Sequence, residues 1–175
     1  QKLSALDIRT ICSTHGPVWR EYAAKAIDIY DRMSRYEGEE GVTIVYGSMY
    51  GNTEQMAQAI ADAAGAELFA VSDFSGSIAD YDRIAFGCSA MGDEVLEEDE
   101  FEPFFASIEG DLSGKTIALF GSYGWGDGQW MRDWEDRMKA AGAEVACGEG
   151  IITQETPDDD ALVKCKELGK TLAAV

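Results

Sequence analysis

Short apolar runs alternate with amphipathic stretches along most of the chain, from Val42 onward. Runs rich in β-branched residues predict strands over residues 42–46, 67–71, 83–88 and 115–120, and a fifth over 144–152 that bends at Gly148 and Gly150. Apolar residues at helical spacing predict helices over 53–64, 99–108 and 129–140, and a last one with Thr156 as its N-cap and Pro157 in its first position.

This alternation determines the predicted fold class, which is α/β. Nearly continuous apolar strands, each followed by a helix, indicate a parallel sheet that is covered by helices on both faces. Right-handed crossovers leave few topologies for five such units, and the doubly wound order 2-1-3-4-5 is one of them.

The first 41 residues differ in character from the rest and form a predicted helical extension. Residues 6–12 fit a short strand, and residues 14–17 read as a loop. One amphipathic helix is predicted after this loop from the spacing of Tyr22, Ala26, Ile27, Tyr30 and Met33. Because residues 37–41 form a polar, glycine-containing linker, we predict a boundary between residues 1–41 and 42–175.

The charge balance restricts the partners of the chain. Its 175 residues include 33 acidic and 14 basic ones, for a net charge of −19. This excess predicts no binding to nucleic acid, whose phosphates require Lys and Arg. It suits docking to positively charged proteins, although a solvated surface explains it equally well.

No apolar run approaches the roughly 20 residues of a membrane span, and the N-terminus shows no secretory signal, so a cytoplasmic location without membrane binding is predicted. The four cysteines contain no Cys-x-x-Cys pair. They therefore predict neither an iron–sulfur cluster nor a zinc site, and we expect buried free thiols.

The most informative segment is residues 48–54, here called the phosphate loop, between the first strand and the first helix. Backbone N–H groups and the helix N-terminus create an anion site there. Ser48, Asn52 and Thr53 add side-chain donors, and Gly51 allows close approach of the backbone. Without a Walker-type Lys or a Gly-x-Gly-x-x-Gly motif, the loop suits a terminal phosphate that is held and not transferred.

Two further loops follow the third and fourth strands: the hairpin loop, residues 88–97, and the tryptophan loop, residues 121–128. The carboxyl ends of neighbouring parallel strands meet in one crevice, so the three loops converge. Trp125 has Gly on both sides and is predicted to be an exposed plate, so that a flat ring can stack between Met91 and Trp125. Trp130 and Trp134, at helical spacing, are predicted to be packing residues.

Together the three loops closely resemble those of flavodoxins, particularly the short-chain clostridial type, over about residues 42–175. The resemblance implies a flavodoxin-like fold that binds flavin mononucleotide (FMN). Tyr50 stands where simple flavodoxins usually carry Thr. The loops and the resemblance predict these cofactor-binding residues: Ser48, Met49, Tyr50, Gly51, Asn52, Thr53, Ser89, Ala90, Met91, Gly92, Glu94, Ser122, Tyr123, Gly124, Trp125 and Gly126.

The resemblance also implies individual roles. The phosphate is held by Ser48, Tyr50, Asn52 and Thr53. Met91 and Trp125 flank the isoalloxazine ring, the Gly92 carbonyl faces flavin N5, and Glu94 accepts a hydrogen bond from N3–H. The backbones of Ser122, Tyr123 and Gly124 line the pyrimidine edge.

The segment 11–20 resembles the end of the metallo-β-lactamase-like domain of flavodiiron proteins. Those proteins join that domain to a flavodoxin domain through a helix and a linker. Their phosphate loops also carry the sequence found here at residues 50–53. They reduce nitric oxide or oxygen at a di-iron site, with FMN relaying electrons.

His15 matches their last iron-ligand His, so it is a possible iron ligand in a longer parent protein. Because the upstream ligands are absent from this sequence and one His cannot hold two irons, we predict neither a metal site nor a catalytic residue in this chain.

Three interpretations follow from these observations. In the first, the chain is the FMN domain of a flavodiiron protein, with a rubredoxin- or ferredoxin-type system or a reductase as redox partner and a homodimer possible. In the second, it is a free-standing flavodoxin electron shuttle. A phosphoacceptor signalling domain shares the sheet order but requires acidic residues after the first and third strands, where Gly47-Ser48 and Cys88-Ser89 stand.

Overall fold

The computed structural model describes residues 8–12, 18–20, 22–27 and 41–174. The chain divides into two compact units, Gln1–Gly38 and Glu39–Val175. The boundary lies inside the predicted linker. The origin of the first unit in an upstream metallo-β-lactamase-like domain stays a prediction.

The described residues of the first unit contain a two-stranded ribbon and a helical segment. Strand β1 (Ile11–Cys12) pairs antiparallel with β2 (Val18–Trp19), so the predicted strand is present at its C-terminal end. Residues 23–27 are helical, within the range predicted for the amphipathic helix. His15 and the second half of that predicted helix, with Tyr30 and Met33, lie outside the described residues.

The second unit alternates strands and helices. Its strands are β3 (Val42–Tyr46), β4 (Glu67–Ala70), β5 (Arg83–Gly87), β6 (Ala90–Met91), β7 (Val95–Leu96), β8 (Thr116–Tyr123), β9 (Glu144–Val145) and β10 (Ile151–Gln154). Its helices are α1 (Asn52–Ala64), α2 (Phe101–Ile108), α3 (Gln129–Ala140) and α4 (Asp159–Ala174). Each predicted strand and helix of this part is therefore present.

The central sheet has the order β10-β8-β5-β3-β4, and all of these pairs are parallel. Counted from Val42, this is the predicted order 2-1-3-4-5, with the fifth strand divided into β9 and β10. The division occurs where Cys147 (φ 61°) and Gly148 (φ 81°) take left-handed conformations, which confirms the predicted bend. The flavodoxin-like α/β fold is confirmed.

Two apolar layers cover the two faces of the sheet. Strand residues alternate between them, because successive side chains of a strand point to opposite faces. On one face Phe86 packs with the aromatic residues of α2 and α3; on the other Ala85 packs with α1 and α4. Trp130 and Trp134 are 2% and 1% exposed, as predicted for packing residues.

Three details differ from the sequence prediction. Strand β8 continues to Tyr123, because β10 pairs with residues that were expected to form a loop. Helix α4 begins at Asp159 and is capped by Asp158, whose Oδ1 accepts the Ala161 N–H at 2.8 Å, so the Thr156 cap is wrong. The prediction that Pro157 occupies the first helical position is also wrong, because Pro157 is buried ahead of the helix and Asp158 follows it as the cap.

The expectation of buried thiols is correct for two cysteines and wrong for the other two. Cys88 and Cys165 are buried in the two core layers, whereas Cys12 and Cys147 are exposed, and all four are free. Cys147 is exposed because it lies in the left-handed turn that interrupts the fifth strand. Within the described residues, no helix has both the length and the apolar character needed to cross a membrane.

Candidate functional site

A cleft of about 270 Å³ opens at the carboxyl ends of β3, β5 and β8, where the three predicted loops meet. Its lining contains residues from all three loops and one residue after β10: Met49, Tyr50, Asn52, Ser89, Ala90, Met91, Gly92, Ser122, Tyr123, Gly124, Trp125 and Glu155. All of these except Glu155 belong to the predicted set. Ser48 lines an adjoining pocket that shares Met49, Ser89 and Met91 with the cleft.

The phosphate loop ends in an open helix terminus. Gly51 precedes α1 at φ 79°, a left-handed conformation that glycine adopts without steric cost. The Gly51 N–H donates to Ser48 Oγ at 3.1 Å, which closes the loop on itself. Within the described residues no side chain caps α1, so the positive potential of its first backbone N–H groups is left for a bound anion.

Three hydroxyl groups join the loops beneath the cleft. Thr53 Oγ1 lies 2.9 Å from Ser89 Oγ and 3.5 Å from Ser122 Oγ, so each loop contributes one member. Thr53 is fully buried, and it reaches the cleft through Ser89 and Ser122, which line it. Hydrogen bonding among two buried hydroxyls and the half-buried one of Ser89 fixes the three loops relative to one another.

Several large apolar side chains around the cleft are exposed. Trp125 is 84% exposed and Tyr50 is 83% exposed, and Met49 is also largely uncovered. Met91 and Trp125 both line the cleft, as predicted. Large apolar side chains grouped around a cleft mark a binding surface, because a ligand that covers them removes apolar area from water.

The hairpin formed by β6 and β7 is fastened to the tryptophan loop by Glu94. Glu94 Oε1 accepts the N–H groups of Gly128 at 2.7 Å and Gln129 at 2.9 Å and so caps α3. A Cβ atom on Gly126 would collide with the Glu94 carboxylate, so glycine is required for this contact. Glu94 and Gly126 do not line the cleft. The N3–H contact implied for Glu94 stays a prediction.

The base of the same hairpin is closed by a thiol. Cys88 Sγ accepts the Glu97 N–H at 3.3 Å and donates to the Ser89 carbonyl at 3.4 Å. Burial raises the pKa of Cys88, so its thiol stays neutral and keeps its proton for the Ser89 carbonyl.

Glu97 then caps α2. Its carboxylate accepts the N–H groups of Asp99 at 2.7 Å, Phe101 at 2.8 Å and Glu100 at 3.0 Å. Burial by itself raises the pKa of Glu97, but these three backbone donors outweigh it and hold the pKa below its ordinary value.

Sequence reasoning missed Glu155 as a residue of the site, and it missed the contacts by which Cys88 and Glu97 hold the hairpin. Glu155 follows β10, a neighbouring strand whose carboxyl end was not considered, and that position was the available signal. The contacts of Cys88 and Glu97 depend on how the hairpin folds back, for which the sequence carries no local signal. Within the described residues no group of three or more His, Cys, Asp or Glu side chains could hold a metal ion.

Comparisons with known proteins agree with this geometry. The profile of the flavodoxin family matches residues 44–169. A flavodoxin from Clostridium beijerinckii is 49% identical, over 75% of this chain and 99% of that protein. The solution structure of two-electron reduced Megasphaera elsdenii flavodoxin is 42% identical, with a TM-score of 0.65 over 77% of this chain and 99% of that one.

Longer proteins match nearly the whole chain. A nitric oxide reductase from Moorella thermoacetica is 33% identical over 99% of this chain, which spans 45% of that protein. The flavodiiron protein from Giardia intestinalis has a TM-score of 0.68 and 25% identity over 99% of this chain and 45% of that one. With the parallel sheet, the cleft and these relatives in agreement, the chain belongs to the flavodoxin family of FMN-binding electron-transfer domains.

Proposed function

We propose that FMN binds in this cleft, and that the chain relays its electrons to a di-iron nitric oxide or oxygen reductase centre in a longer parent protein. The observation that supports the binding mode is the combination of an uncapped helix terminus and an exposed indole at the same cleft. A molecule with a phosphate at one end and a planar ring at the other complements both.

The phosphate end is served by neutral donors. Ser48, Asn52 and the first N–H groups of α1 hold the phosphate without a cationic side chain, since the phosphate loop contains no Lys or Arg. The hydrogen bonds among the hydroxyls of Thr53, Ser89 and Ser122 hold the phosphate end of the cleft in a fixed position relative to the ring end. Such preorganisation reduces the ordering cost of binding.

The ring end is formed by Met91 and Trp125, which cover the two sides of a planar system and exclude water from it. When bound, FMN supplies one- and two-electron chemistry. The Gly92 carbonyl serves as the acceptor beside ring N5. Gly92 lies at φ 47°, and because glycine has no Cβ atom this peptide can reorient at low cost. Asp93 and Glu98 add negative charge on the hairpin side, which opposes uptake of electrons by a neighbouring ring.

The assignment to a flavodiiron parent rests on how much of this chain each relative matches. The two flavodoxins match 75% and 77% of the chain, whereas the nitric oxide reductase and the flavodiiron protein match 99% of it. In that setting the partner is a rubredoxin- or ferredoxin-type protein or a reductase, and the protein is a homodimer. The printed name of another relative, an Escherichia coli anaerobic nitric oxide reductase flavorubredoxin, supports a rubredoxin-type donor. The cytoplasmic location stays a prediction.

A second candidate function is that of a free-standing flavodoxin shuttle. The higher identity to the Clostridium beijerinckii flavodoxin, 49% against 33% for the nitric oxide reductase, favours it.

Two measurements test these proposals. Titration with FMN should show stoichiometric binding, a shifted flavin absorbance and quenched fluorescence; binding of riboflavin with equal affinity would contradict the phosphate site. Iron content and nitric oxide consumption are then measured on the product of the complete reading frame. Absence of both there would favour the shuttle.

A further inference from the structure

Glu155 lies at the cleft in an unusual backbone conformation. Three described residues other than glycine have positive φ, namely Glu94, Cys147 and Glu155, and Glu155 has φ 56°. This left-handed conformation is unfavourable for a residue with a long side chain, and it persists only where the surrounding structure imposes it. Glu155 also lines the cleft, next to Tyr123, Gly124 and Trp125.

Two hydrogen bonds to backbone carbonyls of the tryptophan loop, one from the Glu155 backbone and one from the Gln154 side chain, hold Glu155 in this conformation. Its N–H donates to the Tyr123 carbonyl at 2.8 Å, and Gln154 Nε2 donates to the Gly124 carbonyl at 3.3 Å. The end of β10 therefore holds the tryptophan loop by its backbone. Glycine at position 155 would make the same backbone contact without strain, so the fold itself does not require a carboxylate there.

The carboxylate of Glu155 is exposed and makes no hydrogen bond or ion pair within the described part of the chain. A negative charge beside a ring that gains electrons disfavours the reduced ring relative to the oxidised one.

We infer that Glu155 is a specificity-determining residue of the FMN cleft, whose carboxylate weakens the binding of reduced FMN relative to oxidised FMN. This inference rests on the FMN placement proposed above. The Glu155 carboxylate thus adds a negative charge to the cleft from the end of the fifth strand, in addition to the charges of the acidic residues on the hairpin side.

The test compares Glu155→Gln, Glu155→Gly and the control Glu144→Gln. Glutamine removes the charge and keeps the strain, whereas glycine removes both. Glu144 is an exposed acid that pairs with Thr116, seven residues before Tyr123 in β8, which places it about 23 Å from the cleft end of that strand. The control therefore makes the same change in net charge at more than two screening lengths from the cleft, at physiological salt.

The measurements are the dissociation constant of oxidised FMN, from fluorescence quenching, and the two reduction potentials, from spectroelectrochemical titration. For E155Q and E155G the ratio of the affinities for reduced and oxidised FMN should rise about two- to fivefold, the range for an exposed charge. The shift should shrink in about 1 M salt, where the screening length falls to about 3 Å. A purely structural role of Glu155 would not show this salt dependence.

The possible outcomes separate this inference from the binding mode on which it rests. If E155Q leaves both potentials at their wild-type values, or shifts them no more than E144Q does, the inference is wrong. If Trp125→Ala leaves FMN affinity unchanged, the proposed placement fails and the inference fails with it. A normal loss of affinity in W125A together with unshifted potentials in E155Q would overturn only the role of Glu155.

Discussion

Glu94 and Gly128 join two of the loops that form the cleft: Glu94 Oε1 accepts the Gly128 N–H at 2.7 Å, across 34 positions of sequence. The same oxygen accepts the Gln129 N–H, so one carboxylate caps α3 and fixes the hairpin to the tryptophan loop. The cap is charged and sits at the N-terminus of a helix, where the helix dipole favours a negative group.

Glu94→Ala should lower the free energy of unfolding by about 1 kcal/mol, the typical cost of losing an N-cap. It should also weaken FMN binding, because the two loops lose their link. Chemical denaturation and FMN titration measure the two effects. The matched control is Asp93→Ala, an exposed acid in the same turn, and equal destabilisation by both variants would contradict the capping role.

Trp125→Ala should weaken FMN binding by about 1–3 kcal/mol, the range for a lost aromatic stacking partner. Its effect on the stability of the apoprotein should be small, because Trp125 is 84% exposed. Trp125→Phe should retain most of the affinity. Trp134→Ala is the opposite case, since Trp134 is 1% exposed and its loss should cost about 3–5 kcal/mol of stability. FMN titration and thermal denaturation of all three variants distinguish the roles.

The fold was predictable because the strands are buried on both sides, so each reads as an apolar run such as that of β5, Arg83–Gly87. The burial of Trp134 followed from helical spacing in the same way. The Asp158 cap was not predictable, since Thr156 also carries an oxygen suited to capping a helix and lies only two residues away.

Most of the cleft lining was predictable because parallel strands bring their carboxyl ends together. Met91 and Trp125, from different loops, accordingly line one cleft. Glu155 was missed as a wall residue although its place after a strand was a signal, because the pairing of β10 with residues 120–123 of β8 was not predicted from the glycine-containing sequence there. The link between Cys88 and Glu97 likewise exists only after the hairpin has folded back.

The stability of the chain should decrease in acid partly through Glu97. The folded pKa of Glu97 lies below its ordinary value of 4.5, because three backbone N–H donors outweigh the effect of burial. The ionised form is thus favoured in the folded state. Its contribution is fully present above the unfolded pKa and is lost as the pH falls through the folded one.

Glu97→Gln should therefore destabilise the protein at neutral pH and much less in acid, where the wild-type carboxylate is protonated. The free energy of unfolding, measured from about pH 7 down to about pH 3, should show the two proteins converging. Glu98→Gln, an exposed neighbour, makes the same change in charge. If the free energy of unfolding of E98Q also starts below that of wild type at neutral pH and converges with it in acid, the pH dependence does not come from the α2 cap.

This chain by itself should bind no stoichiometric iron and should not consume nitric oxide with turnover. A di-iron centre requires several His and carboxylate ligands, and the sequence contains one histidine, His15. A domain loaded with FMN can still accept electrons from a reductase and lose them slowly to oxygen. Metal analysis and nitric oxide electrode measurements on the reduced, FMN-loaded chain test this directly. Iron bound at two per chain together with sustained nitric oxide consumption would show that the ligands are present after all. Iron and turnover only in the product of the complete reading frame would locate the reductase centre outside these 175 residues.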